Sequence, residues 1–202
     1  MRRMASTAAH ANEADESLML HFAAGDMTAF DTLYARHEMG VWRYVLRSVR
    51  EQALADDLMQ DVWFAVARQA PTYRPTARFT TWLFTMAHNR LVDHFRTAKQ
   101  HLRMDDSGAD SGNGCGSALA DTLAADSGFG PVRQLESRQQ AAALIDAVEQ
   151  LPEEQREAFL LQAEGGLRVE EIASTTGVSF ETAKSRLRYA RNHLRQRLKE
   201  FA

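Results

Sequence analysis

From Asp105 to Pro131 the chain is built of Ser, Gly, Ala and Asp with little else, which bars one continuous core. The stretch carries five acids, Asp105, Asp106, Asp110, Asp121 and Asp126, and no Lys or Arg. It cannot bury enough apolar surface to offset the entropy of ordering it, so it reads as a flexible tether. What flanks it is expected to fold as two small bodies, at 17–100 and 135–202, joined by an acidic Gly/Ser linker over 101–134. Residues 1–16 are Ala-rich and polar without periodicity and read as a disordered tail. The 202 residues suffice for two such bodies, and 45% hydrophobic content suffices for their cores.

Apolar positions throughout recur at steps of three and four, and no alternating strand pattern of useful length occurs, so the expected class is all-α. A first helix starts at Ser17, and Leu18, Phe22, Phe30, Leu33 and Tyr34 are the apolar positions of this region. Gly25-Asp26 breaks it, and Asp26 or Thr28 can cap the next piece. Val41, Trp42, Tyr44, Val45 and Leu46 continue as a second helix. A third spans 56–70, with Leu58, Val62, Phe64, Val66 and Ala67 inward. Asp57, Gln60 and Asp61 share one face of it at i, i+3 and i+4, which a helix N-terminus alone would tolerate.

Next comes a Pro-flanked basic loop, Pro71-Thr72-Tyr73-Arg74-Pro75-Thr76-Ala77-Arg78, feeding a helix from Phe79 to Arg96. Trp82, Leu83 and Met86 form one apolar patch of that helix, and Phe84, Leu91 and Phe95 another. Between them runs a polar strip of Thr81, Thr85, His88 or Asn89, and Arg96. Arg74, Arg78, Arg90, Arg96, Lys99 and Arg103, with Arg68 just upstream, face a single acid, Asp93. Cations, hydroxyls and amides in this order suit phosphate and base contacts, although a solvated basic face would also use them.

Beyond the linker, a helix over 141–151 turns Leu144, Ile145, Val148 and Leu151 inward. A second restarts at Pro152-Glu153-Glu154, packs through Phe159, Leu160 and Leu161, and stops at Gly165-Gly166. Val169 to Thr176, the turn Gly177-Val178 and a longer helix from Phe180 make a helix-turn-helix closed by Ile172, Val178 and Ala183. In the last helix Ala183, Leu187, Ala190, Leu194, Leu198 and Phe201 form one buried stripe, with Ser179 as N-cap. Glu181, Lys184, Ser185, Arg188 and Asn192 project opposite it, toward what would be a major groove.

The run Phe79-Thr80-Thr81-Trp82-Leu83 through Asn89-Arg90-Leu91-Val92-Asp93-His94-Phe95-Arg96 resembles the promoter-melting helix of extracytoplasmic-function sigma factors, group IV of the sigma-70 family. Ala55-Asp56-Asp57-Leu58-Met59-Gln60-Asp61 resembles that family's grip on RNA polymerase. Leu151-Pro152-Glu153-Glu154-Gln155-Arg156-Glu157-Ala158-Phe159, Glu170-Glu171-Ile172-Ala173 and Thr182-Ala183-Lys184-Ser185-Arg186-Leu187 are similar to sigma domain four. The resemblance covers 17–99 and 135–202, in the family's order. It implies that Asp57, Leu58, Gln60 and Asp61 bind the β′ clamp helices of core polymerase, with the β flap as a further contact. It implies a minus-ten DNA site at Tyr73, Arg74, Arg78, Trp82, Asn89, Asp93 and Arg96, and a minus-thirty-five site at Thr182, Lys184, Ser185, Arg186 and Arg188. Many relatives carry His-Arg-Ala where this chain has Arg188-Tyr189-Ala190, which leaves the upstream base preference open. The resemblance further implies promoter DNA and an anti-sigma factor as partners, and a linker that threads the polymerase.

Net charge is −3, so nucleic-acid binding has to come from local patches. The single Cys115, in Gly-Asn-Gly-Cys-Gly, excludes an internal disulfide and fits a reducing cytoplasm. No run approaches the roughly 20 apolar residues of a membrane span, and the start Met1-Arg2-Arg3-Met4 lacks the apolar region of a secretory signal. There is no phosphate-binding Gly-x-x-x-x-Gly-Lys, no His-Glu-x-x-His, and the seven His show no metal-ligand spacing. Neither enzyme chemistry, a cofactor nor a metal is therefore expected. The competing reading is a polymerase-independent helix-turn-helix regulator with a helical sensor domain, which would place a ligand cavity or a dimer helix within 17–99.

Overall fold

The computed structural model describes residue 10, residues 12–104 and residues 131–199, with side chains described outside 99–104 and 131–139. The aspartate-rich core of the linker with Cys115, and Phe201 of the final stripe, lie outside the described residues. All regular structure among the described residues is helical, in two compact units.

The first unit contains α1 (Asp15–Ala23), α2 (Met27–Val49), α3 (Gln52–Gln69), a 3-10 turn (Ala70–Thr72) and α4 (Phe79–Met104). Helix α1 begins two residues before Ser17. The α1–α2 break follows from Gly25, whose φ of 102° suits glycine, and from Asp26, whose side chain accepts the Thr28 N–H. Asp26 is thus the cap, and α2 continues unbroken to Val49, so the two segments read as separate are one helix. Leu18, Met19, Leu33, Val41, Tyr44, Val45, Val62, Val66, Phe79, Leu83, Phe84 and Ala87 form the core.

Two inward assignments on α3 and one on α4 are corrected. Phe64 is 58% exposed and Ala67 is exposed, while Trp63 is buried. Leu58, Val62 and Val66 define the stripe, and Phe64 stands about 200° round the helix from Val62. Trp63 instead meets the rings of Phe30 and Tyr34 at 5.8 and 4.9 Å. On α4, Phe95 is exposed alongside Val92, because the packed part of that helix ends at Leu91.

The second unit contains α5 (Pro131–Glu149), α6 (Glu153–Ala163), α7 (Val169–Thr176) and α8 (Phe180–Arg197). Helix α5 opens at Pro131, inside the span that composition assigns to the linker. Leu144, expected inward, is 37% exposed, while Ile145, Val148 and Leu151 are buried. Arg156 is also buried and donates to the Glu149 carbonyl at 3.2 Å, helping hold the α5–α6 corner. Between α7 and α8, Gly177 caps at φ 67° and Ser179 accepts the Thr182 N–H at 3.2 Å. Ala183, Leu187, Ala190 and Leu194 bury the stripe that the sequence phase gives.

Candidate polymerase and nucleic-acid surfaces

On α3, Asp57, Gln60 and Asp61 are exposed together, one turn apart. Leu58, expected beside them, is not part of that face: it is 7% exposed and belongs to the core stripe. Beside the face lies a groove of about 650 Å³, with Asp57 and Gln60 on its wall and Phe22, Met27, Phe30 and Phe64 among its apolar lining. Met27 and Phe64 are both more than half exposed, so it is a surface groove. An inward Phe64, as the sequence pattern predicts, would leave no such groove. An acidic lip around an apolar floor suits a helix carrying cations beside aliphatic side chains.

The loop before α4 presents Arg74 and Arg78 to solvent. Arg74 donates to the Tyr73 carbonyl at 3.0 Å, which ties the guanidinium to the loop backbone. Tyr73 itself is 4% exposed, edge-on to Trp82 at 5.0 Å and to Phe79 at 6.4 Å. It therefore offers no stacking face in this conformation. Burial, with Glu16 and Asp15 nearby, pushes its hydroxyl up to about 12. The N-terminus of α4 is held from α1: the Phe79 N–H donates to Glu16 Oε1 at 2.7 Å, a long-range cap invisible to local motif reading.

Along α4, Trp82 is half-buried, His88 is buried and Asn89 is exposed, so Asn89 is the member of the pair on the outer face. Asp93 and Arg96 are exposed and joined at 2.9 Å. Arg74, Asn89 and Arg96, with the accessible part of Trp82, lie on the exposed side of this unit.

On α8, Thr182, Lys184 and Arg188 are exposed and Ser185 half-buried. Lys184 Nζ sits 5.7 Å over the Phe180 ring, and Arg188 lies 5.0 Å over Tyr189, so both cations rest on aromatic faces. Arg186 departs from expectation. It is 17% exposed and bonds Glu154 of α6 at 2.6 Å, so it braces the helix-turn-helix and does not share the outer face. Its position one residue before the buried Leu187 explains the difference. Arg191 and Arg195 extend the cationic surface toward the C-terminal end of α8.

Comparison with known proteins follows this layout. Residues 33–101 match Sigma-70 region 2, and residues 141–194 match Sigma-70, region 4. The RNA polymerase sigma factor CarQ of Myxococcus xanthus is 41% identical over 78 residues, 39% of this chain and 45% of that protein. The ECF RNA polymerase sigma factor SigM of Mycobacterium tuberculosis is 34% identical over 87 residues, 43% of this chain and 44% of that protein. The chain thus spans less than half the length of these relatives. The ECF RNA polymerase sigma factor SigL of M. tuberculosis is 30% identical over 189 residues, 89% of this chain and 94% of that protein. Among solved structures, the sigma factor RpoE in complex with the anti-sigma factor NepR from Bartonella quintana superposes with a TM-score of 0.63 at 20% identity, covering 84% of this chain and 96% of that one. CnrH in complex with the cytosolic domain of CnrY does so at 0.60 and 22% identity, covering 94% and 100%. These two establish the fold. With the alignment to SigL running through both units, the chain belongs to the extracytoplasmic-function RNA polymerase sigma factors.

Proposed function

We propose that this chain is an alternative sigma factor that directs core RNA polymerase to specific promoters and initiates transcription there. Asp57, Gln60 and Asp61 dock on the β′ clamp helices, and the adjoining groove receives the apolar side of the same partner. Arg74, Arg78, Trp82, Asn89 and Arg96 hold the opened minus-ten strand, while Lys184, Ser185 and Arg188 read the minus-thirty-five duplex. The second unit also meets the β flap. The first unit, whose last helix runs to Met104, serves as domain two, and the second, whose first helix opens at Pro131, serves as domain four. The protein acts by binding, without a catalytic step of its own, in the cytoplasm.

The observation that carries this reading is the presence, in one helical unit, of an exposed acid–amide face and a separate basic loop feeding an amide-bearing helix. A sensor domain needs neither. The groove on α2 and α3 is the feature a sensor reading would claim, but exposed Met27 and Phe64 make it a docking surface more than a ligand cavity.

An anti-sigma factor holds the chain inactive by covering these surfaces, a reading supported by the similarity to the sigma factor RpoE, which was solved in complex with the anti-sigma factor NepR. The deciding experiment is co-migration of the pure protein with core polymerase, followed by transcription from a promoter panel. Co-migration with promoter-specific transcripts is expected. DNA binding that is indifferent to polymerase would return the chain to the repressor class. In the same assay Phe64→Ser should weaken polymerase binding roughly tenfold, the effect of losing a moderate interface anchor, with helicity unchanged because Phe64 is exposed.

A further inference from the structure

We propose that His10, Glu13 and His21 form a binding site for a zinc-class divalent transition-metal ion, with Asp26 as the carboxylate that orients His10. One ligand atom from each of the three lies within 4.8 Å of the others. Glu13 already bridges the two rings, with Oε2 at 2.6 Å from His10 Nδ1 and Oε1 at 3.3 Å from His21 Nδ1. A tetrahedral ion with nitrogen and oxygen bonds of about 2.0–2.2 Å separates its ligand atoms by roughly 3.3–3.5 Å, so side-chain rotations suffice to close the site. Two imidazoles and one carboxylate make a borderline donor set that suits Zn(II) and its neighbours better than hard cations. His21 is about half exposed, which leaves a fourth position open to water.

The surroundings are those of a metal site more than of a chance cluster. With the ion on His10 Nδ1, the other ring nitrogen keeps its proton and donates to Asp26 Oδ2, now 3.0 Å away. A ligating histidine whose second nitrogen donates to a carboxylate has its tautomer and ring plane fixed. Asp26 is itself held by the Thr28 hydroxyl and N–H at 2.8 and 2.9 Å. Ser17 Oγ donates to Glu13 Oε1 at 2.7 Å. The backbone carrying the first two ligands is fastened too: Arg36 of α2 donates to the carbonyls of Glu13 and His10 at 2.7 and 3.0 Å. Less ordering is then lost when the ion binds. In the ion-free state both His10 nitrogens face carboxylates, so metal entry displaces the Nδ1 proton to solvent, and affinity falls with falling pH. The sequence concealed the site because His10-x2-Glu13 and His21 lie on either side of a helix start, outside any regular motif.

The test is titration of the full-length protein with Co(II), read by its visible d–d absorption, then displacement by Zn(II). A saturable band at one equivalent is expected, and Zn(II) should abolish it. Glu13→Gln and His21→Ala should each weaken Co(II) binding at least tenfold. Asp26→Asn, which retains a capping side chain for α2, should weaken it about 10- to 100-fold. Helicity by circular dichroism should be unchanged in all three. The absence of a saturable band, leaving His10 as a proton-bridged ion pair only, overturns the proposal. So does equal affinity in wild type and all three variants, which would place the ion on other histidines.

Discussion

Lys184 and Arg188 stand one helical turn apart on the outer face of α8, both leaning on rings that restrict them. Ordered cations that reach base edges discriminate among sequences, whereas those that reach phosphate do not. Lys184→Ala or Arg188→Ala is expected to lose about 1–3 kcal/mol at one upstream base pair and to relax preference there. Arg195, bonded to Asn192 at 3.2 Å and farther along the helix, should behave otherwise. Arg195→Ala should weaken binding to all sequences alike and reduce the salt dependence by about one counterion. Competition binding of holoenzyme against a panel of upstream variants checks both, and uniform losses for Arg188→Ala would remove it from base reading. Tyr73 makes a second case at this scale. Its hydroxyl is buried with no partner among the described residues. An unsatisfied buried hydroxyl costs about 1–3 kcal/mol, so Tyr73→Phe should raise stability by about 1 kcal/mol in denaturant unfolding. Minus-ten preference should stay unchanged. A shift in preference would mean that Tyr73 swings out to meet DNA.

Among the helices, α1 proves to be a structural hub, although Asp15 and Glu16 at its start fall in the span that reads as a loose tail. Glu16 caps α4, and Asp15 holds His37 Nε2 at 2.8 Å together with Arg36. Burial pushes the Asp15 carboxyl up, but the hydrogen bonds from His37 and Arg36 outweigh it and hold the group below its ordinary value. A carboxyl depressed in the folded state contributes stability above its unfolded pKa and loses it as pH falls through the folded one. The fastening of α1 on α2 should therefore weaken progressively below about pH 4. Asp15→Asn should be less stable than wild type at pH 7 and nearly equal to it at the acid end, measured by urea unfolding at stepped pH. A constant difference across pH would assign the loss to packing alone. Contacts of this kind explain what the sequence shows and hides. The α8 stripe, the Ser179 cap and the helix-turn-helix were legible because their partners lie within one or two turns of chain. The orientations of Phe64, Arg186 and Tyr73 were not, because each is decided by a residue of another element: the apolar groove wall, Glu154, and the rings packed around Trp82.

At the scale of the whole chain, the acids of the linker balance basic surfaces carried by the folded units. Net charge is −3, although the outer face of α8 and the loop before α4 are strongly cationic. Local positive patches on an acidic chain bind DNA only where geometry concentrates them, and the distant acids raise the free energy of nonspecific association. Replacing Asp105, Asp106, Asp110, Asp121 and Asp126 by Asn reverses the sign of the net charge without touching a described side chain. Polymerase binding should stay nearly intact, because the proposed grip rests on Asp57, Gln60 and Asp61. Nonspecific binding of the free protein to DNA should rise at low salt, and the gain should vanish as salt screens the long-range field. If the acids also stand in for nucleic-acid backbone within the polymerase, the pattern of short abortive transcripts should change with the same substitution. Gel-shift titration on random duplex at two salt concentrations, with abortive transcription in parallel, separates the two effects. A DNA affinity that does not move would show that the linker charges act on neither the free chain nor its choice of sites, and unchanged abortive products would reduce the segment to a tether.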